Sequence, residues 1–303
     1  MKNIKKLPFI LSIISLLTIF SPANADIKVV ASIKPIHSLV SYLMDGVGKP
    51  DLIVDGYASP HGFAMKPSHA KMLQNADLIF WVGEDLENFL EKPLKSIAKK
   101  AEKIELMEIN GLKKLKFRER NIFESHDDHG HEKHAHGEHD PHIWLDPLNA
   151  KVILSEMAEH LVEKDPSNAS TYKANLKKAH KALDNLTKKI KSDLKGDFKS
   201  IVFHDAYQYF EKRFDVNVLG AFTVNTDVLP GAEQLAEIRE IIEHEKVTCV
   251  FSEPQFNPNI IKAVAKDMKI STGVIDPLGA TLNPGKDLYF DLIRNMYASF
   301  KSC

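Results

Sequence analysis

The chain has 303 residues, with 40 basic and 41 acidic side chains and a formal net charge of −1. Hydrophobic residues make up 44% and charged residues 27%, a balance that excludes a collagen, a coiled-coil rod and a wholly disordered chain. Because there is no basic surplus, the composition also argues against a protein that binds nucleic acid through bulk charge. The length predicts about two domains or one large α/β unit. Of the 14 histidines, seven lie between His126 and His142.

The first 25 residues have the pattern of a secretory signal peptide. Three lysines precede an apolar run at 7–20, and the small-x-small sequence of residues 23–25 follows it. The run is shorter than the roughly 20 residues that a membrane-spanning helix needs, so a membrane anchor is the less favoured interpretation. We expect cleavage after Ala25 and export of the chain, as a soluble protein, to a bacterial periplasm.

Apolar runs alternate with helical patterns in the first half of the chain. Strands are predicted at 27–32, 51–54, 78–82 and 104–107, and helices at 35–44, 68–75, 84–90 and 93–101. Such alternation is typical of parallel βαβ units. The segment 118–140 has no apolar periodicity and is predicted to be a loop.

A single long helix is predicted after this loop. From Tyr172 to Leu194, apolar residues recur at spacings of three and four, and Gly196 ends the pattern. The opposite face is rich in lysine, which we interpret as a solvated face rather than a binding surface. At 1.5 Å per residue the helix is about 40 Å long, enough to run along a whole domain.

The second half repeats the alternation of strands and helices. Strands are predicted at 200–203, 216–220, 249–252 and 272–275, and helices at 206–210, 231–244, 258–267 and 287–300. The sequence therefore predicts an α/β fold: two Rossmann-like βα lobes with parallel sheets, at 26–164 and 197–303, joined by one long backbone helix at 165–196. The cleft between the lobes is the expected ligand site.

Three histidines in tight turns are candidate metal ligands. His61 and His204 each follow a predicted strand, one in each lobe, and His142 lies in a turn flanked by proline and aspartate. Ligands gather beyond the carboxyl ends of parallel strands, where Asp276 is also expected. Any one of these histidines alone would more often be structural. Together, three imidazoles and one carboxylate or water would complete a tetrahedral zinc site.

The loop 125–139 is a second, different kind of metal-binding candidate. Its histidines are His126, His129, His131, His134, His136 and His139. Without a rigid scaffold, we expect them to bind several metal ions weakly and in exchange, so that deletion of 125–139 leaves tight one-site binding intact. The alternative is a solvated spacer loop without a metal function.

The sequence contains no HExxH, GxSxG, Walker or GxGxxG motif, and we do not expect an enzyme. The one candidate general base for a hydrolytic zinc site is Glu253, which follows a predicted strand. Glu253 could instead cap a turn or order a group next to the metal. The two cysteines, Cys249 and Cys303, are expected to form a disulfide because an even pair in an oxidising compartment is more often bonded than free.

Several short motifs together resemble the ZnuA-type family, the periplasmic zinc-binding proteins of ABC uptake systems. The motifs are SPH at 59–61, NADL at 75–78, HIWLDP at 142–147, FHDAY at 203–207, FSEPQF at 251–256 and DPLG at 276–279. The resemblance covers essentially the whole chain after the signal peptide. The histidine-rich loop and the cysteine pair are also typical of its zinc members.

The resemblance implies a transport protein that captures zinc in the interlobe cleft and delivers it, as a monomer, to a membrane permease driven by a cytoplasmic ATPase. His61, His142 and His204 match the family's three histidine ligands. Some zinc members place a ligating glutamate before the first histidine, where this chain has Pro60. The fourth ligand is then Asp276, which we favour, or a water. A manganese-transport protein, a surface adhesin and a secreted zinc hydrolase are the alternatives.

Overall fold

The computed structural model describes residues 26–118, 137–196, 199–224, 226, 230–266, 268 and 270–302. The predicted signal peptide lies outside these residues, as does the histidine-rich loop up to His136. Cys303, and with it the predicted disulfide, also lies outside them. Within the described residues, no helix combines the length and the apolar character that crossing a membrane requires.

Each half of the chain builds a four-stranded parallel sheet, as predicted. The strands are β1 (Val29–Ile33), β2 (Asp51–Val54), β3 (Leu78–Trp81) and β4 (Glu102–Glu105) in the first half, and β5 (Lys199–His204), β6 (Asn217–Thr223), β7 (Cys249–Ser252) and β8 (Ser271–Val274) in the second. Their spatial orders, β2-β1-β3-β4 and β6-β5-β7-β8, are equivalent. All neighbouring strands are parallel, so within each sheet the carboxyl ends of the strands lie at the same edge.

The helices pack against these sheets and against one another. They are α1 (Lys34–Leu43), α2 (Pro67–Asn75), α3 (Glu84–Ser96), α4 (Pro147–Lys164), α5 (Ala169–Asp193), α6 (Gln208–Phe214), α7 (Ala232–His244), α8 (Asn259–Ala265) and α9 (Leu288–Lys301). Helix α5 packs on α4, α1 and α9. The predicted α/β fold with one long helix between two sheets is therefore confirmed, while the domain boundaries stay a prediction.

The long helix begins later than the predicted range 165–196 does. Residues Pro166–Asn168 form a 3₁₀ turn, and the α-helix begins at Ala169. The carboxylate of Asp165 accepts hydrogen bonds from Ser167, Asn168 and Tyr172, which stabilises the turn between α4 and α5. The seven lysines of the predicted solvated face are all exposed: Lys173, Lys177, Lys178, Lys181, Lys188, Lys189 and Lys191.

Two elements differ from the sequence-based expectation. Helix α4, 18 residues long, was not predicted, although Asp146 caps its N-terminus by accepting a hydrogen bond from the Leu148 amide. The helices predicted at 84–90 and 93–101 form one helix, α3, with non-helical backbone angles at Glu87. The buried Glu87 carboxylate accepts hydrogen bonds from the amides of Val82 and Gly83, which holds the start of α3 against the end of β3.

The two lobes are joined by buried polar contacts as well as by α5. The Trp144 indole donates a hydrogen bond to the Pro277 carbonyl over 2.8 Å, and the Tyr289 hydroxyl donates one to the Trp144 carbonyl over 2.6 Å. The buried ammonium of Lys34 donates to the carbonyls of Ala280 and Leu282. These bonds fix the first half of the chain against the segment that leads from β8 to α9.

Candidate metal centre

The three candidate histidines come from three separate segments of the fold. His204 is the last residue of β5, at the carboxyl edge of its sheet. His61 lies in the connection between β2 and α2, seven residues beyond the end of β2. His142 does not follow a strand: it immediately precedes a 3₁₀ turn that leads into α4. The expectation that strand ends place the histidines therefore holds for His204 and only loosely for His61.

The fold nevertheless brings these three side chains together. One ring nitrogen of each lies within 4.8 Å of the others. The Nε2 atoms of His142 and His204 are 3.4 Å apart. Two nitrogens bound to one tetrahedral zinc ion at about 2.0–2.1 Å are also separated by about 3.4 Å. Among the described residues, no other group of histidine, cysteine and carboxylate side chains has such an arrangement.

The ring of His142 is held by a carboxylate on the side away from the cluster. Asp140 Oδ1 lies 2.7 Å from His142 Nδ1 and also accepts a hydrogen bond from the His142 amide over 2.9 Å. We assign the proton to Nδ1 from this hydrogen bond, which leaves the Nε2 lone pair directed at the cluster. Both residues are buried. Asp140 therefore fixes the tautomer and the orientation of a candidate ligand.

His204 is held in the same way by Glu253. Glu253 Oε1 lies 2.7 Å from His204 Nδ1 and accepts a hydrogen bond from the Tyr207 hydroxyl over 2.9 Å. Glu253 directly follows β7, the strand that neighbours β5 in the sheet. Of the three sequence-based interpretations of Glu253 (general base, turn cap, or a residue that orders a group next to the metal), the third agrees with its contacts.

Burial and neighbouring charges change the pKa values of these groups. Burial lowers the pKa of His142 well below its ordinary value, and the positive charge of His204 lowers it further. Burial alone would also lower the pKa of His204, but the charge and hydrogen bond of Glu253 raise it above the ordinary value. Burial raises the pKa of the Asp140 carboxyl to about 7. A proton therefore competes with a metal ion for this site more strongly at His204 than at His142.

Asp276, the expected fourth ligand, is not among the clustered side chains. Its Oδ1 accepts hydrogen bonds from the Gln255 amide group and from the backbone of Leu278 and Gly279. Its Oδ2 accepts one from the Ala280 amide over 2.6 Å. These four bonds stabilise the turn after β8, so the role of Asp276 as a ligand stays a prediction that its present contacts do not support.

A cavity of about 300 Å³ opens beside the histidine cluster. Acidic side chains of α3, including Glu84, Asp85 and Glu91, contribute to its wall. His139, the only histidine of loop 125–139 among the described residues, also lines it. The cavity connects the cluster with the end of the histidine-rich segment, and its carboxylates favour the approach of cations.

Sequence reasoning assigned no role to Asp140, Tyr207 or Arg118. Asp140 stands two residues before His142, and Tyr207 belongs to the motif that contains His204, so their proximity along the chain was an available signal. Arg118 forms hydrogen bonds with Asp205 and Glu211, and no motif marked it.

Comparison with known proteins shows the family of the chain. The family model described as "Zinc-uptake complex component A periplasmic" matches residues 29–303. High-affinity zinc uptake system protein ZnuA of Brucella abortus is 43% identical, over 91% of both chains. The protein of that description from Yersinia pestis is 38% identical, over 95% of both.

A solved structure described as a crystal structure of ZnuA superposes with a TM-score of 0.76 at 23% sequence identity. The match covers 91% of this chain and all of the other. This likeness supports the fold, and the family match and the relatives extend over the histidine motifs in both lobes. The chain belongs to the ZnuA family of periplasmic zinc-uptake components, which are solute-binding transport proteins.

Proposed function

We propose that the chain captures zinc through His61, His142 and His204 and delivers it to an ABC permease. The observation that carries this proposal is the 3.4 Å separation of the His142 and His204 Nε2 atoms, with a third imidazole nitrogen in reach. Membership of the zinc-uptake family supports the same cargo. Nitrogen ligands suit zinc, whereas manganese prefers oxygen ligands, so the donor set favours zinc over the manganese alternative.

The cellular setting is part of this proposal. Residues 1–25 act as a signal peptide cleaved after Ala25, and the chain works as a monomer in the periplasm with a permease and its cytoplasmic ATPase as partners. The family is described as periplasmic, which supports this location. A disulfide between Cys249 and Cys303 is supported by the contact of Phe300 in α9 with Phe251 in β7, whose ring centroids are 5.1 Å apart.

Replacement of His204 tests the ligand set. His204→Ala should weaken zinc binding by more than the roughly 10–100-fold that loss of a ligand-orienting partner costs, because a ligand itself is removed. Competition with a fluorescent zinc chelator measures the dissociation constant. His244→Ala is the matched control, since His244 is exposed at the end of α7, and it should bind as the wild type does. Equal affinities for zinc and manganese in the wild type would contradict the zinc assignment.

Acidification should weaken zinc binding. Since the pKa of His204 is raised, this ring keeps its proton to a higher pH than an ordinary imidazole does, and zinc must displace that proton. As the pH falls through this pKa, the apparent affinity should fall by about tenfold per pH unit for each proton displaced. Competition titrations between about pH 7.5 and about pH 5.5 measure the slope, and a flat profile would show that no proton is displaced.

Replacement of Glu253 separates a positioning role from a catalytic one. Glu253→Gln should reduce zinc affinity by about 10–100-fold because the amide no longer fixes the His204 ring as a carboxylate does. Glu243→Gln, on the exposed side of α7, is the control and should leave the affinity unchanged. A zinc-loaded wild type that hydrolyses peptide or ester substrates, with that activity lost in Glu253→Gln, would instead support the hydrolase alternative.

The histidine-rich loop is proposed to collect additional metal ions near the cleft. His139 and Glu138 pair with residues 116 and 117, so they belong to the ordered base of the loop. Deletion of 125–136 should therefore preserve the tight site and remove weaker sites in titration calorimetry. Deletion of 125–139, by contrast, should weaken the tight site as well as remove the weaker sites, because it removes the paired residues Glu138 and His139. This expectation differs from the one based on the sequence. Loss of the tight site with the shorter deletion would refute this division.

A further inference from the structure

We propose that Arg118 is a positioning residue for zinc capture, one that acts on the His142 ring through Asp140. This inference rests on the function proposed above and adds a residue to it. Arg118 is the last described residue before the histidine-rich segment, and it reaches across to the C-terminal half of the chain.

The first step is the anchor that Arg118 makes on the C-terminal lobe. Its guanidinium donates to both oxygens of Asp205 and, over 2.8 and 3.0 Å, to both oxygens of Glu211. Both carboxylates are buried, Asp205 beside His204 and Glu211 in α6. The planar, forked guanidinium can bind two carboxylates in this way, whereas a lysine ammonium is a single point charge. Arg118 therefore holds the segment 115–118 at one orientation on α6.

The second step is the pairing of segment 115–118 with the segment that carries Asp140. Lys116 and His139 form an antiparallel bridge, and the Phe117 amide donates a hydrogen bond to the Glu138 carbonyl. The Asp140 amide donates one to the Leu115 carbonyl over 2.9 Å. We call these two paired segments, 115–118 and 138–140, the loop base. Fixing one segment of the loop base fixes the other.

Helix α6 contacts both segments of the loop base at once. Gln208 Nε2 donates to the Lys116 carbonyl over 3.1 Å and to Asp140 Oδ2 over 3.3 Å. The Tyr209 hydroxyl accepts from the Leu115 amide and donates to the Asp140 carbonyl over 2.7 Å. Since Asp140 Oδ1 in turn holds His142, the orientation of this ring depends on how the loop base sits on α6. The same helix begins only four residues after His204, so it orients the His142 and His204 rings relative to each other.

The experiment is a double-mutant cycle read as zinc affinity. Asp140→Asn should weaken binding by about 10–100-fold, as loss of a ligand-orienting partner does. Arg118→Gln should weaken it by about tenfold or more. If Arg118 acts through Asp140, the double variant should bind about as well as Asp140→Asn alone, because coupled residues do not contribute additively.

The matched control is Arg213→Gln. Like Arg118, Arg213 donates two hydrogen bonds to a buried carboxylate, that of Asp146, but it lies in α6 itself and has no bond to Asp140. The thermal unfolding of each metal-free variant is measured in parallel. We expect Arg213→Gln to lower the unfolding temperature about as much as Arg118→Gln while zinc affinity stays within about twofold of the wild type. An equal loss of affinity in both variants would show a general effect of stability and overturn the proposal.

Two further outcomes would also overturn it: wild-type affinity in Arg118→Gln, or losses that multiply in the double variant. Should Arg118→Gln fail to fold, the cycle is run with Arg118→Lys, which keeps the charge but lacks the planar fork that bonds both oxygens of each carboxylate. Wild-type affinity in that variant would count equally against the proposal. Failure of the proposed function itself looks different, since the wild type would then bind zinc no better than His204→Ala.

Discussion

The geometry of the site depends on one arrangement: two buried imidazoles, each hydrogen-bonded through Nδ1 to a carboxylate, with their Nε2 atoms 3.4 Å apart. Two nitrogen lone pairs facing each other at this distance repel, and a cation between them turns that repulsion into coordination. Asp140 and Glu253 keep both rings in the tautomer that exposes those lone pairs. The same carboxylates strengthen proton binding at His204, so metal and proton compete for one position.

This arrangement forms only when the fold brings distant segments of the chain together. The connection after β2 supplies His61, the segment before α4 supplies His142, and the end of β5 supplies His204. The lobes are held together by α5 and by buried contacts such as that between Trp144 and Pro277. Because the two orienting carboxylates precede α4 and follow β7, each lobe contributes both a ligand and the group that orients it.

Much of the fold could be predicted from the sequence because parallel strands are short apolar runs that alternate with helical patterns. Helix α4 was missed although its sequence carries the signals of a helix: Ile153, Met157 and Leu161 recur every four residues, and Asp146 followed by Pro147 is a start signal. His204 could be placed because a strand end fixes its position. His61 and His142 lie in irregular segments whose paths depend on tertiary contacts that no local pattern encodes.

The kinds of ligand atom in a site decide which metal ion it prefers. The hydrogen bonds of Asp276 therefore matter, because they bear on whether this carboxylate can serve as an oxygen ligand. An oxygen ligand from Asp276 would move the site toward harder ions such as manganese. All four of its hydrogen bonds instead stabilise the turn after β8, three of them with backbone amides that would lose their acceptor if the carboxylate moved to a metal. Leaving buried amides without an acceptor costs about 1–3 kcal/mol each. The candidate ligands that cluster therefore remain three imidazole nitrogens, a set that suits zinc better than manganese.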